Sequence, residues 1–179
     1  MDLAQGPGLS LGSVARDSLR FAIDGYQFAD SDNPRERHSW YVLEGAATRE
    51  GNEWTFRWQA LTCDTPAYLA LWLLQLADWI AAGSSQDAPE CPWLIEPNLQ
   101  FPDVRMVNGR AELTIELNRE FLAPERRNGR VGAGGPEVLT VYATAEQLRR
   151  AAIDLAATAA RYPEHPLASR PVVPNDVRE

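Results

Sequence analysis

One short segment with strict alternation of apolar and polar residues constrains the fold most. Residues 53–60, EWTFRWQA, place Trp54, Phe56, Trp58 and Ala60 at every second position, with polar residues between them. A two-residue period is that of a β-strand with one buried face and one wet face. We therefore expect a strand that packs its aromatic rings into a core, in a fold built around a sheet.

Several other segments share this period or a strand-like composition. They lie at residues 18–28, 39–48, 95–101, 110–118 and 138–143. Two helices interrupt them: Thr65-Pro66 is a typical helix start, and Thr144 with Gln147 matches a capping box. Because the helices follow blocks of strands and do not alternate with them, the sequence predicts an α+β fold, a mainly antiparallel sheet of six or seven strands with two α-helices.

The domain boundaries follow from patterning and composition. Residues 1–17 are weakly patterned and rich in small residues, which predicts a flexible lead. Residues 18–163 contain all the periodic segments and are predicted to form a single α+β domain. Residues 164–179 are proline-rich and predict an extended tail.

The apolar helix at residues 66–82 has two possible uses. Its main stripe is followed by Gly83, which is typical of a helix end, while Leu71 and Leu74 lie on the opposite side. The extra apolar face predicts either that the rest of the chain packs on both sides of the helix or that the helix forms a homodimer contact. Gln75 and Asp78 interrupt the run, which is shorter than the ~20 apolar residues of a bilayer span, so we expect a buried helix and no membrane insertion.

The charge balance bears on the class of partner. The chain has 25 acidic and 17 basic residues, all of the latter arginine, for a net charge of −8. Such a surface attracts a basic protein and repels nucleic acid. The N-terminus lacks the pattern of a secretory signal, so we expect a cytoplasmic protein.

The segment WLIEPNLQFP, residues 93–102, carries polar residues within an apolar run. Read with period two, Glu96, Asn98 and Gln100 face one way, and the apolar residues between them face the other. Pro97 cannot donate to a central ladder, so it predicts an edge strand. This interpretation places Glu96 and Asn98 in a solvent-exposed polar row at a sheet edge.

The loop from Asp30 to His38 is the richest in potential metal ligands, with Asp32 and Glu36 between these two. A calcium loop of the helix-loop-helix type wants acids at alternate positions and a glycine at the sixth, whereas Pro34 stands at the fifth position here. A solvated loop is favoured, and a metal- or small-ligand-binding enzyme that uses this loop is the alternative.

Other candidate chemistry has a simpler structural interpretation. Glu112 and Glu116 share one strand face, but four residues separate them by about 14 Å, too far for a retaining glycosidase pair and generous for an inverting one. The run NGRVGAGG precedes a strand and not a helix, which argues against a phosphate cradle. Cys63 and Cys91 stand alone, which predicts free thiols and leaves a disulfide between them open. We expect no cofactor and no catalytic residue.

Several of these segments, taken in order, resemble a known family. DGYQFADSDNPRERHSWYVLEG, EWTFRWQALTCDTPAYLALWLLQLADWI, LIEPNLQF and ELTIELNREF are similar in sequence and spacing to actinobacterial proteins of the WapI-like immunity family. The resemblance covers about residues 18 to 166. It implies a small cytosolic protein that binds and neutralises a cognate secreted toxin, often a nuclease.

Under this resemblance, exposed carboxylates are the natural contacts for a basic toxin. The candidate partner-binding residues are Asp30, Asp32, Glu36, Glu96, Asn98, Glu112 and Glu116. Two alternatives stay open: the enzyme at the Asp30–His38 loop, and a structural subunit that self-associates through the helix at 66–82.

Overall fold

The computed structural model describes residues 7–13, 15–33, 36, 39–83, 85–92, 94–127 and 135–162. Predictions that concern His38, most of the glycine-rich run and the proline-rich tail lie outside these residues.

The first sheet has four antiparallel strands in the order β1-β2-β3-β4. They are β1 (Leu9–Gly12), β2 (Ser18–Tyr26), β3 (Trp40–Arg49) and β4 (Asn52–Thr62). Strands β3 and β4 form a hairpin in which Glu50 and Gly51 have φ values of 50° and 84°. Two consecutive residues with positive φ are typical of the tight turns that match strand twist, and glycine adopts this conformation without strain.

The second sheet has three antiparallel strands in the order β5-β6-β7. They are β5 (Leu99–Val107), β6 (Arg110–Leu117) and β7 (Glu137–Ala143). Among the described residues the helices are α1 (Thr65–Ala81), α2 (Pro124–Arg127) and α3 (Ala145–Ala159), and a 3₁₀ turn lies at Arg119–Phe121. Seven strands and two long helices among the described residues confirm the predicted α+β class.

The predicted start of the second long helix is confirmed, whereas that of the first is shifted by one residue. At α3 the Thr144 hydroxyl accepts a hydrogen bond from the Gln147 amide at 3.2 Å, and the Gln147 side chain accepts one from the Thr144 amide at 2.9 Å. This reciprocal pair confirms the capping box. Helix α1 begins one residue earlier than predicted, at Thr65, with Asp64 in the N-cap position and Pro66 in the first turn.

Both sheets and both long helices share one apolar core. The helices pack against each other, α1 also contacts β4 and β6, and α3 contacts β1, β2 and β7. Aromatic contacts join the two sheets, since the rings of Phe56 on β4 and Phe121 after β6 stack with centroids 4.1 Å apart. The sheets therefore bury their inner faces together and leave their outer faces to solvent.

Two expectations about the first sheet are wrong. Residues 9–12 were expected in a flexible lead, but they form β1, where Leu9 pairs with Phe21 and both are buried. Four residues are too few to show a period, and their burial depends on the partner strand. Trp58, expected in the core, is 45% exposed, although Trp54, Phe56 and Ala60 on the same strand are buried as predicted.

Candidate functional site: the outer face and edge of the second sheet

The outer face of the second sheet carries two of the predicted site residues. On β6, Glu112, Thr114 and Glu116 alternate with buried Leu113 and Ile115, which confirms the predicted alternation. Strand β6 is central in its sheet, so ladder bonds on both sides hold its backbone. The two carboxylates therefore stand on a preformed surface.

Glu112 is held by a neighbour on β7. It lies between Arg105 on β5 and Tyr142 on β7, and the Tyr142 hydroxyl donates a hydrogen bond of 2.6 Å to Glu112 Oε2. The bond to this carboxylate is the main reason that the pKa of Tyr142 is raised above its ordinary value. The contact fixes the orientation of the carboxylate on the sheet face.

Glu116 adjoins the turn that carries Glu96. Its cross-strand neighbour on β5 is Gln100, and the Gln100 amide donates to the carbonyl oxygens of Leu94 at 3.1 Å and Glu96 at 2.9 Å. Gln100 is therefore bonded to the turn at Glu96 and is also the cross-strand neighbour of Glu116.

The prediction that Glu96 and Asn98 form an exposed row on a strand is wrong. Residues 95–98 are bends and a turn, and β5 begins only at Leu99. Asn98 is 1% exposed, and its amide donates to Glu120 Oε2 at 3.0 Å. Proline followed by asparagine is a common turn signal, and a short turn of this kind also fits a two-residue alternation. Asn98 faces inward and organises the turn, so it is not part of the exterior.

The other three candidates lie elsewhere. Asp30, Asp32 and Glu36 are exposed in the segment between β2 and β3, on the first sheet, and Ser31 Oγ donates to Glu36 Oε2 at 2.7 Å. The structure thus does not join these acids to the carboxylates of β6. Among the described residues, no three His, Cys, Asp or Glu side chains are grouped so as to hold a metal ion.

The outer face of the first sheet carries charges of both signs. On the first sheet, Arg20 pairs with Glu53 at 3.3 Å, and Arg57 pairs with Asp24 at 2.8 Å. Because the opposite charges of each cross-strand pair lie close together, their electric fields largely cancel at a distance.

The outer face of the second sheet also carries charges of both signs. Asp103, Glu112 and Glu116 share this face with Arg105 and Arg110, and Arg105 is paired with Asp103 at 2.7 Å. The three carboxylates therefore outnumber the two arginines on this face by one.

An ion cluster around the buried Glu137, which the sequence did not suggest, links the sheets. Glu137, at the start of β7, accepts hydrogen bonds from Arg49 on β3 and from Arg126 on α2. Burial alone raises the pKa of Glu137, but the two guanidinium groups outweigh it and hold the pKa below the ordinary glutamate value. The cluster supports the fold beneath the exposed face.

Cys63 and Cys91, whose pairing the sequence left open, are not joined by a disulfide. Burial raises the pKa of Cys91 to about 12, so its thiol is protonated near neutral pH. Among the described residues there is also no helix with both the length and the apolar character that a membrane crossing requires.

Fold and surface together define an α+β protein with a preformed sheet face that carries three carboxylates. The model of the Immunity protein WapI-like family matches residues 10–163, which is most of the chain, and the chain belongs to this family. No curated protein and no solved structure is significantly similar to it.

Proposed function

We propose that this chain is a cytoplasmic, non-enzymatic immunity protein that binds and neutralises a cognate toxin domain. The family match across residues 10–163 carries the proposal. The toxin is a basic protein, and a nuclease is the leading candidate because enzymes that grip phosphates are basic where they do so.

The outer face of the second sheet supports an electrostatic mode of binding. Glu112 and Glu116 stand on a central strand, and Gln100 anchors the turn of Glu96 beside them. A rigid acidic surface steers a basic partner and raises the association rate more than it raises the final affinity. Asp30, Asp32 and Glu36 form a second, separate contact area in this proposal.

The test uses the toxin domain encoded beside this gene, if one is present. Co-expression should rescue growth, and the association rate should fall about tenfold or more between low and high salt. The double variant Glu112→Gln/Glu116→Gln should lower the association rate at low salt. The matched control Glu125→Gln/Glu146→Gln removes two exposed acids elsewhere and should leave it nearly unchanged. Absence of binding, or binding that ignores salt, would overturn the proposal.

The exposed apolar side of α1 favours a second role, self-association. Tyr68, Leu71 and Leu74 follow one another at helical spacing and are exposed, Leu71 by 53%. Light scattering of the wild type and of Leu71→Ser tests this role, which requires a dimer that the substitution dissociates.

The metal- or ligand-binding alternative at residues 30–38 stays a hypothesis. Stabilisation by several degrees with one divalent ion, lost in Asp30→Asn/Asp32→Asn, would favour it.

A further inference from the structure

A groove lies beside the outer edge of the second sheet. It has a volume of about 460 Å³ and is bounded by β5 on one side and by the segment 87–92, which follows α1, on the other. Cavities of ~300–1,000 Å³ are large enough for small ligands, so this groove admits a long side chain with some of its backbone.

The two walls are held in place by one buried residue. The indole nitrogen of Trp72 on α1 donates to the carbonyl oxygen of Pro89 at 3.0 Å, which anchors the loop wall. The Trp72 ring also contacts Phe101 on β5, with centroids 5.3 Å apart, which anchors the strand wall. Proline at positions 89 and 102 further restricts the backbone of both walls. The groove is thus preformed and does not require ordering when it is occupied.

The lining of the groove combines apolar side chains with acidic ones. Asp87, Glu90 and Asp103 line the groove, and no arginine among the residues that the structure describes does. Asp103 is paired with Arg105, whereas Asp87 and Glu90 are exposed and form no salt bridge with any residue the structure describes. A groove that combines apolar side chains with carboxylates outside any salt bridge fits a side chain that has an aliphatic stem and a cationic head.

We propose that this groove receives an arginine side chain of the basic protein partner. Arginine fits better than lysine, because its planar guanidinium can engage a carboxylate through two parallel hydrogen bonds and is less strongly hydrated. The inference rests on the proposed function for the identity of the partner. The groove also adjoins the outer face of the second sheet, since Asp103 lines the groove and lies opposite Thr114 of β6.

The first experiment needs no toxin. N-acetyl-arginine amide is titrated into the full chain while backbone amide resonances are followed by NMR. Saturable shifts confined to residues 87–92 and 100–104 are expected, and the lysine analogue should bind several-fold more weakly. In Asp87→Asn/Glu90→Gln the shifts should fall to near zero, whereas the control Glu125→Gln/Glu146→Gln should keep them. Shifts that do not saturate, or that are equal in both variants, would contradict the proposal that the groove binds an arginine side chain.

The second experiment separates the groove from the proposed function. Both variants are tested against the neighbouring toxin domain, with circular dichroism to verify that each is folded. A tenfold or greater loss of affinity in the groove variant alone supports the inference. If the toxin binds the groove variant as tightly as the wild type, the proposed arginine site is wrong and the proposed immunity function is unaffected. If the wild type binds no toxin, the proposed function fails, and the arginine titration still decides whether the groove binds a guanidinium.

Discussion

The indole nitrogen of Trp54 donates a hydrogen bond of 2.8 Å to the carbonyl oxygen of Phe121, a residue 67 positions further along the chain. Trp54 belongs to β4 of the first sheet, and Phe121 ends the 3₁₀ turn that follows β6 of the second. Both residues are buried. This bond and the stacked rings of Phe56 and Phe121 hold the first sheet against the end of β6.

Trp54→Phe should therefore destabilise the protein by about 1–3 kcal/mol, because the buried carbonyl of Phe121 loses its donor. Urea unfolding followed by circular dichroism measures the change. Trp58→Phe is the matched control, since Trp58 is on the same strand and half exposed; it should change the free energy of unfolding by less than about 0.5 kcal/mol. Equal effects of the two substitutions would show that the bond contributes nothing.

The Glu137 cluster predicts how the free energy of unfolding depends on pH in the acidic range. Because Arg49 and Arg126 hold the pKa of Glu137 below its ordinary value, the folded state binds fewer protons than the unfolded state in the pH range between the two values. The stabilisation is fully present above the unfolded pKa of about 4.3 and is lost as the pH falls through the folded pKa.

Glu137→Gln should thus cost about 1.5–3 kcal/mol at neutral pH, and the difference from the wild type should shrink below about pH 4. Urea titrations at a series of pH values test this. Glu53→Gln, which breaks the exposed pair with Arg20, should cost less than about 1 kcal/mol at any pH. A Glu137→Gln difference that is constant down to pH 3 would assign the stabilisation to packing and not to the carboxylate.

The features that the sequence predicts well are those encoded by neighbouring residues. The capping box of Thr144 and Gln147 needs only four consecutive positions, and the alternation of β6 is visible in eight. The link between Arg49 and Glu137 joins residues 88 positions apart, and no local pattern signals it. The acidic groove likewise depends on how α1 places the loop against β5, which only tertiary packing determines.

Asn98 shows how a local pattern can also mislead. Its amide bonds to Glu120 in a buried turn, although the alternation around it suggested an exposed strand. Asn98→Asp should destabilise the protein by about 1–3 kcal/mol at pH 7, because a second carboxylate replaces the donor that faces Glu120. The loss should lessen as the pH falls, because two adjacent carboxylates bind one shared proton more readily than an isolated carboxylate does. Asn52→Asp, at an exposed position, is the control. An unchanged unfolding midpoint in Asn98→Asp would place Asn98 in solvent.

Cys91 lines the groove, so its ionisation affects the charge that a partner meets there. Burial raises the pKa of this thiol to about 12, and near neutral pH it adds no negative charge to the carboxylates of Asp87 and Glu90. The thiolate is the reactive form, so Cys91 should react slowly with thiol reagents.

In a Cys63→Ser background, labelling of Cys91 by a chromogenic disulfide at pH 8 should be about 10³-fold slower than that of a free cysteine, whose pKa is about 8.5. The rate should rise about tenfold for each pH unit up to the limit of stability, since the thiolate fraction grows in that proportion. The same variant in denaturing urea should react at the rate of a free cysteine, which shows that the fold and not the reagent is limiting. A labelling rate that levels off near pH 9 would mean that the thiol is solvated, and that the groove carries an additional negative charge at alkaline pH.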